Sequence, residues 1–239
     1  YYFEVVFLNK LFAFLIHLLT SFGIVAGFFA LLSVLSDEIV EAFLWLGLAF
    51  FIDGVDGPLA RRFKVKEVSP NIKGEVLDNI VDYFNYVIVP TLIIYQFDMV
   101  PQYSELLIIT VILIVSCYTF ANSNLKTLDN YFIGFPAIWN VVVLYIYILD
   151  TSQIFNLLIL IIFSFLTFVP LKYVHPFRVQ NWRPLTLVMT FLWGMSSLTL
   201  LFKGDTNKYL EIVYWLWGVI SIYFLLISFK RSFFKRKYG

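Results

Sequence analysis

Charge is what this sequence has least of. Across 239 residues, Lys, Arg, Asp and Glu make up 14%, while 61% are hydrophobic and 20% aromatic. That balance excludes an ordinary water-soluble domain, which has no use for so much apolar surface. Cysteine is nearly absent too. Cys117 stands alone in an apolar run, so no internal disulfide can form, and the setting lacks the polar, electropositive surroundings of a reactive thiol. A packing role is expected for it. Two histidines remain. His17 lies on an apolar segment and reads as an interface or packing residue, His175 lies in a polar loop over 174–183, and neither is assigned to metal. A net charge of +1 gives no electrostatic footprint for nucleic acid, and no such partner is expected. There is no strong internal repeat and no second domain, so residues 1–239 read as one unit. The chain starts at Tyr1, and no cleavable signal peptide is expected there, because the first segment runs on into the motif-bearing sequence.

What is present is a series of apolar segments approaching 20 residues, the length that crosses a bilayer as a helix. They are too long and too uniformly apolar for a transmembrane barrel. The expectation is an all-α, polytopic transmembrane bundle of about eight spans, preceded by an amphipathic interfacial helix over 1–16. The spans are expected near 17–35, 40–51, 72–95, 102–121, 133–149, 153–173, 184–202 and 209–228. Eight spans place 15 of the 17 Lys and Arg on one side, with Lys203 and Lys208 opposite. By the positive-inside rule that side, holding both termini and the basic 61–73 link, faces the cytoplasm.

Against this background four acids stand out. The stretch Asp53-Gly54-Val55-Asp56-Gly57-Pro58-Leu59-Ala60-Arg61 is followed by a basic run and then Gly74-x-x-x-Asp78-x-x-x-Asp82. Spacings of three and four put each acidic pair on one helix face, with Gly57 on the first face and Gly74 on the second. A carboxylate inside a span costs about 2.5–3.5 kcal/mol at the bilayer centre and less near its ends. Four like charges converging there would repel unless a cation lay between them, and hard oxygen ligands suit a divalent ion. Two plainer readings compete: solvated helix ends paired with nearby Arg and Lys, and an ion or proton pathway, as in a cation transporter. Pathway acids would be spread through the depth of the membrane rather than gathered at one face.

All eight fixed positions, Asp53, Asp56, Gly57, Ala60, Arg61, Gly74, Asp78 and Asp82, match the signature that this stretch resembles, that of the CDP-alcohol phosphotransferases. The resemblance implies an integral membrane enzyme that moves a phosphoryl-linked group from a CDP-activated donor to an alcohol and releases CMP. It implies a site for Mg²⁺ or Mn²⁺, two ions, held by Asp53, Asp56 and Asp78 and touched by Asp82, with Asp82 also the general base. The donor would be bound by Asp56, Gly57, Ala60, Arg61, Gly74 and Asp78, the small residues leaving room for cytidine and ribose and Arg61 meeting diphosphate oxygens. It also implies a homodimer.

Twelve residues separate Arg61 from Gly74, more than is usual in the family. With Pro58, the Asp78-Asn79 pair, eight rather than six spans and Gly134-Phe135-Pro136-x-x-Trp139-Asn140, this looks like the branch that condenses CDP-diacylglycerol with free choline to phosphatidylcholine in a bacterial-type inner membrane. Serine, glycerol phosphate or inositol is the alternative acceptor. A quaternary ammonium has no N–H and is bound by aromatic faces. Tyr83, Tyr86, Phe135, Trp139 and Asn140 are the choline-site candidates. Packing or interfacial roles for these aromatics, and helix–helix bonding for Asn85 and Asn140, are the competing readings.

Overall fold

The computed structural model describes residues 2–122, 127, 131–177, 182–202 and 208–233, with side chains from residue 7 onward. Its helices are α1 (Tyr2–Leu35), α2 (Ile39–Arg62), a short α3 (Val65–Val68), α4 (Gly74–Tyr83), α5 (Val89–Gln96), α6 (Gln102–Ala121), α7 (Trp139–Leu149), α8 (Gln153–Leu166), α9 (Arg183–Leu201) and α10 (Lys208–Phe233). A π-helical turn, Phe84–Ile88, joins α4 to α5.

The side chains are sorted as a membrane solvent demands. On α8 the buried set includes Asn156 and Ser164, while Ile154, Leu158, Ile161, Ile162 and Phe165 are exposed. On α9, Thr186, Thr190, Ser196 and Ser197 point inward, whereas Val188, Phe191, Met195 and Leu198 face out. Small polar residues inside and large apolar ones outside is the arrangement of helices packed within lipid. Buried indoles complete their bonds across helices: Trp139 Nε1 donates to Ser116 Oγ at 2.7 Å, and Trp217 Nε1 to Ser197 Oγ at 2.9 Å. The protein is an all-α multi-pass membrane bundle.

Among the described residues, five helical segments are long and apolar enough to cross a bilayer: Phe7–Leu35, Gly74–Gln96, Gln102–Ala121, Arg183–Leu201 and Lys208–Phe233. The interfacial helix expected over 1–16 and the span expected after it form one continuous helix of 34 residues. At 1.5 Å per residue that is about 51 Å, against a hydrocarbon layer about 30 Å thick, so α1 extends beyond the apolar layer. Cys117 is exposed on α6 rather than packed inside.

The spans expected at 133–149 and 153–173 are shorter as helices, 11 residues in α7 and 14 in α8. The outer ends of these expected spans run into a two-stranded antiparallel ribbon, β1 (Tyr131–Ile133) with β2 (Lys172–Val174), that an all-α expectation did not contain. The chain turns at Gly134, whose φ is +79°, and Ala137 follows at +55°. Gly134 N–H donates to Leu171 O at 2.8 Å, and a Cβ added to it would lie 2.2 Å from Thr167 O. Gly134→Ala therefore combines left-handed strain with a backbone clash. It should cost about 2–3 kcal/mol, seen as a lower Tm in detergent. β2 in turn docks on α10, with Lys172 N–H donating to Ser232 Oγ at 2.7 Å and Val174 N–H to Ser228 Oγ at 3.0 Å.

The main core joins α1, α2, the π turn, α5, α6, α7 and α8 around Val34, Leu46, Ile93, Ile112, Trp139 and Leu160. A separate cluster of Ile148, Leu200 and Trp217 attaches α9 and α10 to α7.

A carboxylate centre between α2 and α4

The site is made by the end of one helix and the start of another. α2 runs without a break through Pro58 to Arg62, carrying Asp53, Asp56, Gly57, Ala60 and Arg61 in its last turns. Proline is tolerated there although it has no N–H to return to the Gly54 carbonyl. The connecting link is not loose. Val65 of α3 is buried against Ala13 and Ile16 of α1, with Leu59, Ala60, Phe63 and Val68 packed around them, and Phe12 stacks on Phe63 at 4.9 Å. This small apolar knot folds the basic link back against α1, so that α4 starts beside the end of α2.

Asp53 from α2 and Asp78 and Asp82 from α4 meet there. Each offers a carboxylate oxygen, and the three oxygens lie within 4.8 Å of one another. The three side chains are half-buried, whereas Asp56, three residues after Asp53, is 5% exposed. At an effective dielectric near 20, each ionised pair at that separation repels by about 3 kcal/mol. The residues fit a hard divalent ion: all donors are oxygen, and ligands about 2.1 Å from Mg²⁺ place opposite oxygens about 4.2 Å apart.

The π turn ties this cluster to its surroundings. A π turn adds a residue to the helical register and is common where side chains are re-aimed at functional sites. Here it presents Tyr86 to α2, and the hydroxyl donates to Asp53 Oδ2 at 2.6 Å. The neighbouring Asn85 turns to α1, where Nδ2 donates to Gly23 O at 3.0 Å. This bears out the helix–helix role weighed for Asn85. The approach requires bare backbone on α1: a Cβ on Gly27 would lie 2.0 Å from Asn85 Oδ1 and 2.8 Å from the Phe84 ring.

Of the remaining expected site residues, Gly57 and Ala60 are half-buried on α2 and Arg61 is exposed at its end. Gly74 opens α4 beside His17 of α1, whose Cε1 would be 3.3 Å from a Cβ there. The aromatic choline candidates share the main core: Tyr86, Phe135 and Trp139 belong to one buried cluster with Tyr83 packed against it, and Phe135 meets Trp139 edge-on at 4.9 Å. Tyr86 is held on Asp53. Tyr83, a turn earlier, donates to Leu113 O at 3.1 Å and meets the Phe120 ring edge-on. Phe135 and Trp139 are packed in the core, 3% and 0% exposed, so neither presents an open ring face in this conformation. Asn140 is buried on α7, with an Oδ1 that has no hydrogen-bond partner.

Three contacts of the site were not read from sequence. They are His17 beside Gly74, Tyr86 on Asp53, and Phe177 from the loop after β2, whose ring would sit 2.8 Å from a Cβ on Gly54. The Gly23-x-x-x-Gly27 spacing in an apolar run was an available signal for close helix approach. Nothing local distinguishes Tyr86 from the other 14 tyrosines.

Known proteins resemble this sequence across almost the whole chain. The sequence pattern of the CDP-alcohol phosphatidyltransferases matches residues 13–229. A phosphatidylcholine synthase of Pseudomonas aeruginosa is 41% identical over 225 residues, covering 94% of each chain. Phosphatidylcholine synthases of Legionella pneumophila and Rhizobium meliloti are 38% and 37% identical, over 95% and 94% of this chain and 91% and 92% of theirs. With a transmembrane bundle, paired aspartates on two adjoining helices and relatives of this breadth, the chain belongs to the CDP-alcohol phosphatidyltransferase family of membrane enzymes.

Proposed function

We propose that this enzyme condenses CDP-diacylglycerol with choline to give phosphatidylcholine and CMP. The convergence of Asp53, Asp78 and Asp82 carries the chemistry, and the relatives named phosphatidylcholine synthase carry the choice of substrates.

Asp53, Asp56 and Asp78 would hold the metal, with Asp82 beside them. When bound, Mg²⁺ or Mn²⁺, two ions by family resemblance, would neutralise the pyrophosphate and polarise the reacting phosphorus. The chain's own residues do the rest. Gly57, Ala60 and Gly74 leave space for the nucleotide, and Arg61 meets phosphate oxygens. Asp82 takes the proton from the choline hydroxyl as its oxygen bonds to the phosphorus bearing diacylglycerol. The pyrophosphate P–O bond breaks, and the bridging oxygen leaves with CMP. Of the choline candidates, Tyr83 and Tyr86 stand on the segment that carries Asp78 and Asp82; the half-buried Tyr83 ring is the proposed face for the quaternary ammonium, and the Tyr86 ring, 6% exposed, supports that seat from the core. The eight crossings, with the site and both termini in the cytoplasm, belong to the same proposal and place the site where CMP is released into the cytosol.

Tyr86 then has two separable duties. Tyr86→Phe removes the hydroxyl on Asp53 and keeps the ring. It should raise the Mn²⁺ concentration for half-maximal activity about 10–100-fold, the usual effect of losing a bond that orients a metal ligand, and leave the choline KM within twofold. Tyr86→Ala should raise both. An unchanged metal requirement in the Phe variant would remove the hydroxyl from the account.

The reaction itself is tested by supplying purified protein with CDP-diacylglycerol, Mn²⁺ and a panel of labelled choline, serine, glycerol phosphate and inositol. Label entering lipid from choline alone, with equimolar CMP, is the expected result. Entry of another alcohol would keep the family chemistry and replace the acceptor. Choline flux into liposomes without CMP would replace the reaction by transport.

A further inference from the structure

α2 and α9 touch where the Phe50 and Trp193 rings meet edge-on at 6.2 Å, but they do not close along their length. Between them, with α7 beside them, lies a cleft of about 530 Å³ lined by residues such as Leu44, Leu48, Phe51, Leu144, Leu187 and Phe191. Gly47 of α2 and Gly194 of α9 both line it, and neither has any atom within 4 Å of where a Cβ would stand. This is unusual twice over. Glycine within a helix costs about 1 kcal/mol relative to alanine, and in membranes its common return is a close helix contact, which neither residue makes here. The two glycines widen a space instead of closing one.

The cleft has direction. It follows α2 from Leu44 to Val55, about 16 Å of helix. Its site end is Gly54, next to Asp53, where the Phe177 ring lies against the bare backbone. Its walls are almost wholly apolar. Thr190 donates to Thr186 O at 2.8 Å, and Ser197 accepts from Trp217, so both hydroxyls are engaged. Asn140 is the exception among the described lining residues: it is 7% exposed, and its Oδ1 has no partner. Oxygen and nitrogen of a terminal amide exchange by a half-turn, so the same place can present N–H.

We infer that the cleft between α2 and α9 holds one acyl chain of the diacylglycerol moiety, running from Asp53 towards the bilayer interior, with the Asn140 amide bonding an ester carbonyl. The inference rests on the proposed reaction. An alkyl chain matches the apolar walls, a single ester matches a single buried amide, and the end of the cleft at Gly54 and Val55, the residues between Asp53 and Asp56 on α2, puts the attached headgroup on the side of the carboxylates. Donor and product carry the same diacylglycerol, so the chain keeps its seat through the transfer.

Filling the cleft tests this on the full-length protein. Gly194→Leu should lower kcat/KM at least about tenfold with a dioleoyl donor and leave a dihexanoyl donor within twofold. Equal loss with both donors in a protein of unchanged Tm, or no loss with either, overturns the inference. A second measurement uses the unsubstituted protein in nanodiscs and CDP-diacylglycerol bearing a diazirine at one chain end. Crosslinks to residues 44–55 or 187–201, displaced by unlabelled CDP-diacylglycerol or phosphatidylcholine but not by phosphatidylethanolamine of the same chains, are expected. Displacement by all three alike means bulk lipid, crosslinks between two copies mean a protein partner, and crosslinks elsewhere mean another groove. Each of these rejects the inference. Absence of CMP release with choline would instead reject the proposed reaction, while the crosslinks would still report what occupies the cleft.

Discussion

Asp82→Asn is expected to stop turnover while CDP-diacylglycerol still binds. The substitution keeps size and hydrogen-bonding capacity but removes the site that accepts the hydroxyl proton. A general base is worth about 10²–10⁴-fold, so kcat should fall by at least about 10³, with donor Kd changed by less than fivefold. Asp53→Asn should behave differently. Asp53 joins α2 to α4 through the shared cluster and also accepts the Tyr86 hydroxyl. Its loss should weaken Mn²⁺ binding and donor binding together, as well as kcat. Isothermal titration with a non-reactive donor analogue separates the two outcomes. Parallel loss of binding and turnover in both variants would merge the two roles and remove Asp82 as a dedicated base.

The second large effect lies outside the carboxylates. Gly27→Leu should lower activity sharply through α1. Even a methyl group at Gly27 would overlap Asn85 Oδ1 and the Phe84 ring, and Asn85 is 2% exposed with its amide already bonded to α1. The side chains cannot retreat into packed core, so the π turn must move, and Tyr86 moves with it from Asp53. Overpacking of this kind costs about 1–3 kcal/mol, and the lost interhelical bond adds about 0.6 kcal/mol. The expected readout is a clear drop in Tm together with a metal requirement raised at least as far as in Tyr86→Phe. Wild-type metal dependence in a folded Gly27→Leu protein would show that the π turn does not position Asp53.

The carboxylate cluster was largely readable because its residues are costly where they stand. Four aspartates at helical spacing beside apolar runs have few stable arrangements, and three of the four, Asp53, Asp78 and Asp82, come within 4.8 Å of one another, while Asp56 is outside that group. The bundle was legible for the same reason, since long apolar segments have one use. What sequence did not show depends on contacts rather than composition. Phe84–Ile88 has only Asn85 to set it apart from apolar neighbours, and its π turn lies where Asn85 and Phe84 meet Gly23 and Gly27 of α1, a contact that composition does not reveal. The ends expected for the fifth and sixth spans failed at Gly134 and near Pro170, where backbone geometry interrupts apolar sequence and frees Tyr131–Ile133 and Lys172–Val174 to pair. The choline candidates were selected by side and chemistry, criteria that also fit core residues such as Phe135 and Trp139. Lys126, Arg178, Lys203 and the last tail residues, which entered the charge count, lie outside the described residues.

The account stands or falls on one metal position. Crystals grown with Mn²⁺ and CMP, measured at the manganese edge, should show anomalous density about 2.2 Å from carboxylate oxygens of both Asp53 and Asp78, with Asp82 in contact and the CMP phosphate beside it. Manganese bound to one helix alone, or ordered CMP with no anomalous density between α2 and α4, would contradict it.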